Sequence, residues 1–193
     1  NMKNSIIFCL LFAVTLNFSC AQNAENKVNT PKKHNFKAEL FVDELQLPWG
    51  FTFLPDKSIL ITEKEGKLIH FSNGKKSIIG NIPEVYQRGQ GGLLDIELHP
   101  NYEKNGWIYF TYASAEGDEK GGHTALMRAK LKNNSLTNKE LLYKAVPNTT
   151  KGQHFGSRIV FDNEGYVYFS IGERGDRDIN PQDIKRDGGK IYR

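Results

Sequence analysis

Three passages of this chain can be laid over one another, and that repetition constrains its fold more than any other feature. The first is Trp49-Gly-Phe-Thr-Phe-Leu-Pro-Asp56, then Ser58-Ile-Leu-Ile-Thr62. The second is Leu94-Asp-Ile-Glu-Leu-His-Pro-Asn101, then Trp107-Ile-Tyr-Phe-Thr-Tyr112. The third is Ser157-Arg-Ile-Val-Phe-Asp-Asn163, then Tyr166-Val-Tyr-Phe-Ser-Ile171. Each reads as a strand, a turn built from Pro, Asp, Asn or Gly, and a second strand rich in β-branched and aromatic residues. A further candidate strand follows each pair, at Lys67–Phe71, Ala125–Leu131 and Lys190–Arg193.

The turn positions Pro55, Pro100 and Asp162 are 45 and 62 residues apart. A period of roughly 40 to 50 residues with about four strands each is the signature of a propeller blade. Loops at Ala113–His123 and Val146–Gly156 account for the longer second interval. Regular strand spacing alone would also suit a β-sandwich. The repeated turn-and-strand grammar favours an all-β propeller. A ring of blades must close, since open sheet edges pair with other chains. The 193 residues hold about three repeats, so the expectation is the N-terminal half of a longer ring.

Composition is that of an ordinary folded protein, with 38% hydrophobic and 25% charged residues. The formal net charge is +4. Most of the excess sits in Lys3, Lys27, Lys32, Lys33 and Lys37, ahead of the repeats. A nucleic-acid-binding domain holds its basic excess in its folded part, so that class is excluded.

Residues 1–21 read as an export signal. Lys3 precedes the apolar run Ile6–Val14, a positive n-region and an h-region. The run falls well short of the roughly 20 residues that span a bilayer. Two processing readings stay open. Ser19-Cys20-Ala21 suits a cleaved, soluble product, whereas Ser19-Cys20 before a polar tail favours a lipoprotein anchored through Cys20. Residues 22–40 are polar and form a tether, because they bury too little apolar surface to offset ordering entropy. The body, residues 41–193, has no cysteine, as the only two are Cys9 and Cys20. It therefore has neither a disulfide nor a thiol nucleophile.

Propeller ligands bind on the loops at one end of the ring, so loops with unusual polar residues are the candidates. Arg88-Gly89-Gln90-Gly91-Gly92 exposes one amide side chain between glycines that permit close backbone approach. It also reads as a plain tight turn. Lys151-Gly152-Gln153-His154-Phe155-Gly156 sets a histidine between glycines. An imidazole is the usual general base at neutral pH, or else a structural side chain bonded to backbone. His34, His70, His99 and His123 show no spacing of a zinc site. In Gly172–Asn180, Asp176, Asp178 and Asn180 alternate as calcium-loop ligands do. Pro181 stands where such a loop needs glycine, and the flanks are strands, so a solvated or pocket-lining loop is the better reading.

Together these stretches resemble the soluble glucose/sorbosone dehydrogenases, the aldose dehydrogenases that use pyrroloquinoline quinone (PQQ). The resemblance rests on Leu47-Pro-Trp-Gly50, Arg88–Asp95, His99-Pro100, Gly152–Gly156 and Gly172–Asp176, in order. It covers Phe41–Arg193. It implies a six-bladed propeller, of which this chain holds about the first three blades, with the quinone over the central channel. By the same resemblance His154 is the base that takes the anomeric hydroxyl proton of an aldose. Hydride then passes to PQQ and a lactone results. Gln90 would line the cofactor and substrate pocket, and Gln153 and Arg174 match positions near it. Calcium and a set of basic residues would come from later blades, so no metal ligand is assigned here and the 193 residues alone are expected to be inactive. A non-catalytic binding propeller and a calcium-dependent lactonase are the rivals. Sugar specificity and the electron acceptor are not legible.

Overall fold

The computed structural model describes residues 35–193. The export signal, Cys20 and most of the tether lie outside the described residues.

The repeats fold as three antiparallel sheets. The first is β1 (Pro48–Phe53), β2 (Ile59–Glu63), β3 (Lys67–Ser72) and β4 (Lys75–Ile79), in sequence order. The second is β5 (Leu93–Leu98), β6 (Trp107–Ser114), β7 (His123–Lys132) and β8 (Ser135–Lys144), again in order. The third is β9 (Gly156–Phe161), β10 (Val167–Ile171) and β11 (Lys190–Tyr192). A single helical turn, α1 (Tyr102–Asn105), interrupts the β5–β6 connection. First strands of consecutive sheets approach one another, β1 to β5 and β5 to β9, so the sheets fan out from that inner line as blades do.

The predicted strand pairs fall within one or two residues of the observed ones. The outer strands β4 and β8 were not legible from apolar runs, because both are mainly polar and exposed. Their turns explain them. Asn73-Gly74 and Asn133-Asn134 have positive φ at both central residues, the geometry that two-residue hairpins require. His123 is a buried first residue of a strand rather than part of a loop, as the sequence had suggested.

Alternation along the strands decides how the blades stack. In the middle blade Phe110 and Met127 face the first sheet, where they join Leu60, Leu68 and Ile79. Their neighbours Tyr109 and Leu126 face the third sheet and join Ile159, Phe169 and Ile171. Residues one apart on a strand point to opposite faces, so a blade buried on both sides must be apolar at nearly every position. That is why Trp107–Phe110 reads as a continuous apolar run. On the outward face of the first blade, Ile59, Ile61 and Ile69 are covered by Val42 and Leu45.

A β-bulge recurs at one place. The pairing of each first strand with its second slips between Pro48 and Gly50, between Leu93 and Ile96, and between Phe169 and Ile171. A bulge of this kind bends the strand and removes a ladder bond.

Candidate active site

Antiparallel pairing puts the start of a first strand and the end of its second at the same end of a blade. Gln90 precedes β5, His154 precedes β9, and Glu173 follows β10. All three therefore meet on one end of the fan. His99 follows β5 and sits at the opposite end, where its Nδ1 accepts from the Asn101 amide at 3.0 Å.

The Gln90 and His154 loops are clamped to each other twice. The Gln90 amide donates to the Gly152 carbonyl at 2.6 Å. Its side-chain Oε1 accepts from the His154 amide at 2.7 Å. The carboxamide oxygen is thus committed to main chain, and the amide nitrogen is what Gln90 can offer a ligand. The glycines serve this loop-to-loop approach rather than a ligand. A Cβ on Gly89 would lie 2.3 Å from the Gly152 carbonyl oxygen, and one on Gly91 would meet the Phe155 ring at 2.6 Å.

His154 keeps its imidazole exposed, with 43% of the side chain open to solvent. Its Nδ1 is hydrogen-bonded to Oε1 of Glu173, which leaves Nε2 as the nitrogen free to take a proton. Glu173 lies within the stretch Gly172–Asp176, yet sequence reasoning gave it no role. Only the pairing of β9 with β10 brings the two loops together. Burial works to raise the Glu173 carboxyl pKa, but the hydrogen bonds from His154 and the Asp176 amide outweigh it, and the group lies below its ordinary value. It is held as a carboxylate, the form that orients an imidazole and stabilises it when protonated.

Gln153 is exposed beside His154, and its amide nitrogen would lie 2.5 Å from a Cβ at Gly175. Arg174 is placed differently. It is fully buried and stacks on Phe155 with 3.4 Å between guanidinium carbon and ring centroid. Its nitrogens donate to the main-chain carbonyls of Lys151 at 2.6 Å, Gly122 at 3.4 Å and Gln153. Burial pulls its pKa down to about 10. Arg174 thus braces the His154 loop from beneath and presents no surface to a ligand in this structure. Asn180, a candidate cation ligand, instead donates to the Glu173 carbonyl at 2.8 Å and accepts from Arg186 at 3.2 Å. Among the described residues no three His, Cys, Asp or Glu side chains cluster as a metal site would require.

Blades that fan from an inner line, with an exposed His154 bonded to a partly buried Glu173 and two amides on the same end, define a propeller with a polar face. Comparison with known proteins gives the family. The Glucose / Sorbosone dehydrogenase family matches residues 45–193, and the chain belongs to it. Aldose sugar dehydrogenase YliI of Escherichia coli is 35% identical over 160 residues, which cover 80% of this chain and 43% of YliI. The crystal structure of the soluble aldose sugar dehydrogenase from E. coli in the apo form superposes with a TM-score of 0.71, covering 76% of this chain and 43% of that one at 35% identity. The PQQ-bound aldose sugar dehydrogenase of Streptomyces coelicolor gives 0.67 at 29% identity, covering 78% of this chain and 45% of that one. The chain therefore spans less than half the length of these relatives, and its three sheets are part of a β-propeller.

Proposed function

We propose that this chain supplies the base-bearing part of a PQQ-dependent aldose dehydrogenase. The observation that carries this reading is the exposed His154 imidazole held by Glu173, in a chain similar to a PQQ-bound aldose sugar dehydrogenase.

The residues present suit one edge of such a cofactor. Gln90, Gln153 and His154 expose polar groups side by side. The Lys64 and Lys151 amines border them, bonded to the Gly89 and Gly175 carbonyls at 3.0 and 2.8 Å, and suit a ligand that carries carboxylates. PQQ, when bound, supplies the two-electron acceptor for the anomeric C–H, a chemistry that no side chain offers. Everything else falls to the protein. His154 Nε2 accepts the proton of the anomeric hydroxyl while the C–H bond of the same carbon gives up hydride, and the aldose leaves as a lactone. Glu173 holds the ring so that Nε2 faces the substrate. Gln90 and Gln153 orient cofactor or sugar through their amides.

The same reading assigns calcium and the remaining cofactor contacts to later blades. It expects no turnover from residues 1–193 alone. Location outside the cytoplasm follows from the export signal read at Lys3–Val14, with anchoring through Cys20 as one form of it. The test is an absorbance titration of the longest natural form of the chain with PQQ and calcium, followed by an aldose. Saturable binding and bleaching of the quinone by sugar support the proposal. Absence of PQQ binding refutes it.

A further inference from the structure

The three repeated passages carry a hydroxyl at one equivalent position: Thr62, Thr111 and Ser170. The first two do the same thing. Thr62 Oγ1 accepts from the Gly50 amide at 2.9 Å, within its own blade, and donates to the Leu94 carbonyl of the next blade at 2.5 Å. Thr111 Oγ1 accepts from the Asp95 amide at 3.1 Å and donates to the Ser157 carbonyl of the next blade at 3.0 Å. The acceptors Leu94 and Ser157 are themselves equivalent, each one residue before the matching positions Asp95 and Arg158.

The reason for the pattern is the recurring bulge. Where the first and second strands slip register, an inner-strand amide loses its ladder partner. A buried amide left unpaired is costly. The hydroxyl fills that vacancy, and its own proton is then free to reach across the seam. One side chain thus completes a blade and stitches it to its successor. The direction is fixed, from the second strand of one blade to the first strand of the next.

Ser170 stands at the corresponding slip, although among the described residues its hydroxyl takes up no inner-strand amide as Thr62 and Thr111 do. The β9–β10 pairing slips at its position, between Phe169 and Ile171. Its side chain lines a cleft with Gly156, Ser157, Arg158, Pro48 and Trp49, and it stays only partly buried, unlike Thr62 and Thr111. We infer that Ser170 is the donor half of a third seam, whose partner is a main-chain carbonyl on the first strand of a further blade of the same polypeptide. The occupant matches what the two formed seams already bind, and relatives of this chain are more than twice the length it covers. The Trp49 carbonyl, equivalent to Leu94 and Ser157, is the acceptor half that such a ring needs at its other end.

Thermal unfolding of the longest natural form of the chain tests this, with Ser170→Ala and Ser170→Thr beside Thr111→Val. Ser170→Ala should lower Tm by about 2–4 °C, the shift expected for one net hydrogen bond, and Thr111→Val by more, because it removes both the bond from the Asp95 amide and the bond to the Ser157 carbonyl. Ser170→Thr, which keeps the hydroxyl, should leave Tm unchanged. The inference is overturned if Ser170→Ala matches the unsubstituted protein while Thr111→Val does not. It is also overturned if the Ser170→Ala loss depends on protein concentration, since the occupant would then be a second copy. If Thr111→Val fails to fold, Ser170→Ala against Ser170→Thr decides alone.

Discussion

The His154 imidazole and the Glu173 carboxylate are hydrogen-bonded through Nδ1 and Oε1, although 19 residues separate them. The pair exists because β9 and β10 run antiparallel, so the loop entering one strand and the loop leaving the other share an end. The imidazole thus has Nδ1 committed to the carboxylate, and Nε2 is the nitrogen left for a ligand.

Glu173→Gln removes the charge and keeps the shape. With His154 as the base proposed above, it should lower kcat roughly tenfold or more, because the carboxylate would stabilise the imidazole as it takes the proton. KM for the sugar should change little, and Glu173→Asp should recover part of the rate. Steady-state kinetics with a dye acceptor reads all three. An equal loss through KM would assign Glu173 to binding instead.

Arg174 supports the site from below, so its removal should act on stability first. Arg174→Met leaves the Lys151, Gly122 and Gln153 carbonyls without their buried donor. The expected cost is about 2–4 kcal/mol. Denaturant titration measures it, with circular dichroism to confirm that strand content is kept.

His123 ties stability to pH. It is buried, and its pKa is pulled down to about 3 from 6.5, by burial first and then by the Arg174 and Lys144 charges. The unfolded chain therefore binds this proton at a pH where the native state does not. The native state has its full advantage above pH 6.5 and loses it as pH falls toward 3. The loss should be about 2 kcal/mol between pH 6.5 and pH 5. His123→Asn should flatten that slope, which unfolding at several pH values would show.

Gly92 tests the glycine-rich loop. A Cβ there would sit 1.8 Å from the Lys64 carbonyl oxygen, which must then give way. Gly92→Ala should cost at least about 2 kcal/mol. Gly74→Ala has open space around its Cβ and bears only the strain of its positive φ of 73°, so it should cost about 1 kcal/mol.

The core of the fold was open to reading because blade geometry writes itself into the chain. Strands buried on both faces leave apolar runs such as Trp107–Phe110, and their turns repeat. Outer strands do not, since Lys75–Ile79 and Ser135–Lys144 face solvent and are known only from their Asn-Gly and Asn-Asn turns. The site was half legible. Glycine-flanked Gln90 and His154 stood out as polar residues in loops. Glu173 did not, because its meaning depends on a partner brought close by strand pairing. Arg174 drew attention as a charged loop residue, and burial on Phe155 could not be read from its neighbours in sequence.

The most direct test of the dehydrogenase reading is turnover by His154→Ala in the longest natural form of the chain, saturated with PQQ and calcium and supplied with an aldose. PQQ should still bind while kcat falls by about 10²- to 10⁴-fold, the contribution of a positioned general base. Turnover equal to that of the unsubstituted protein would contradict it.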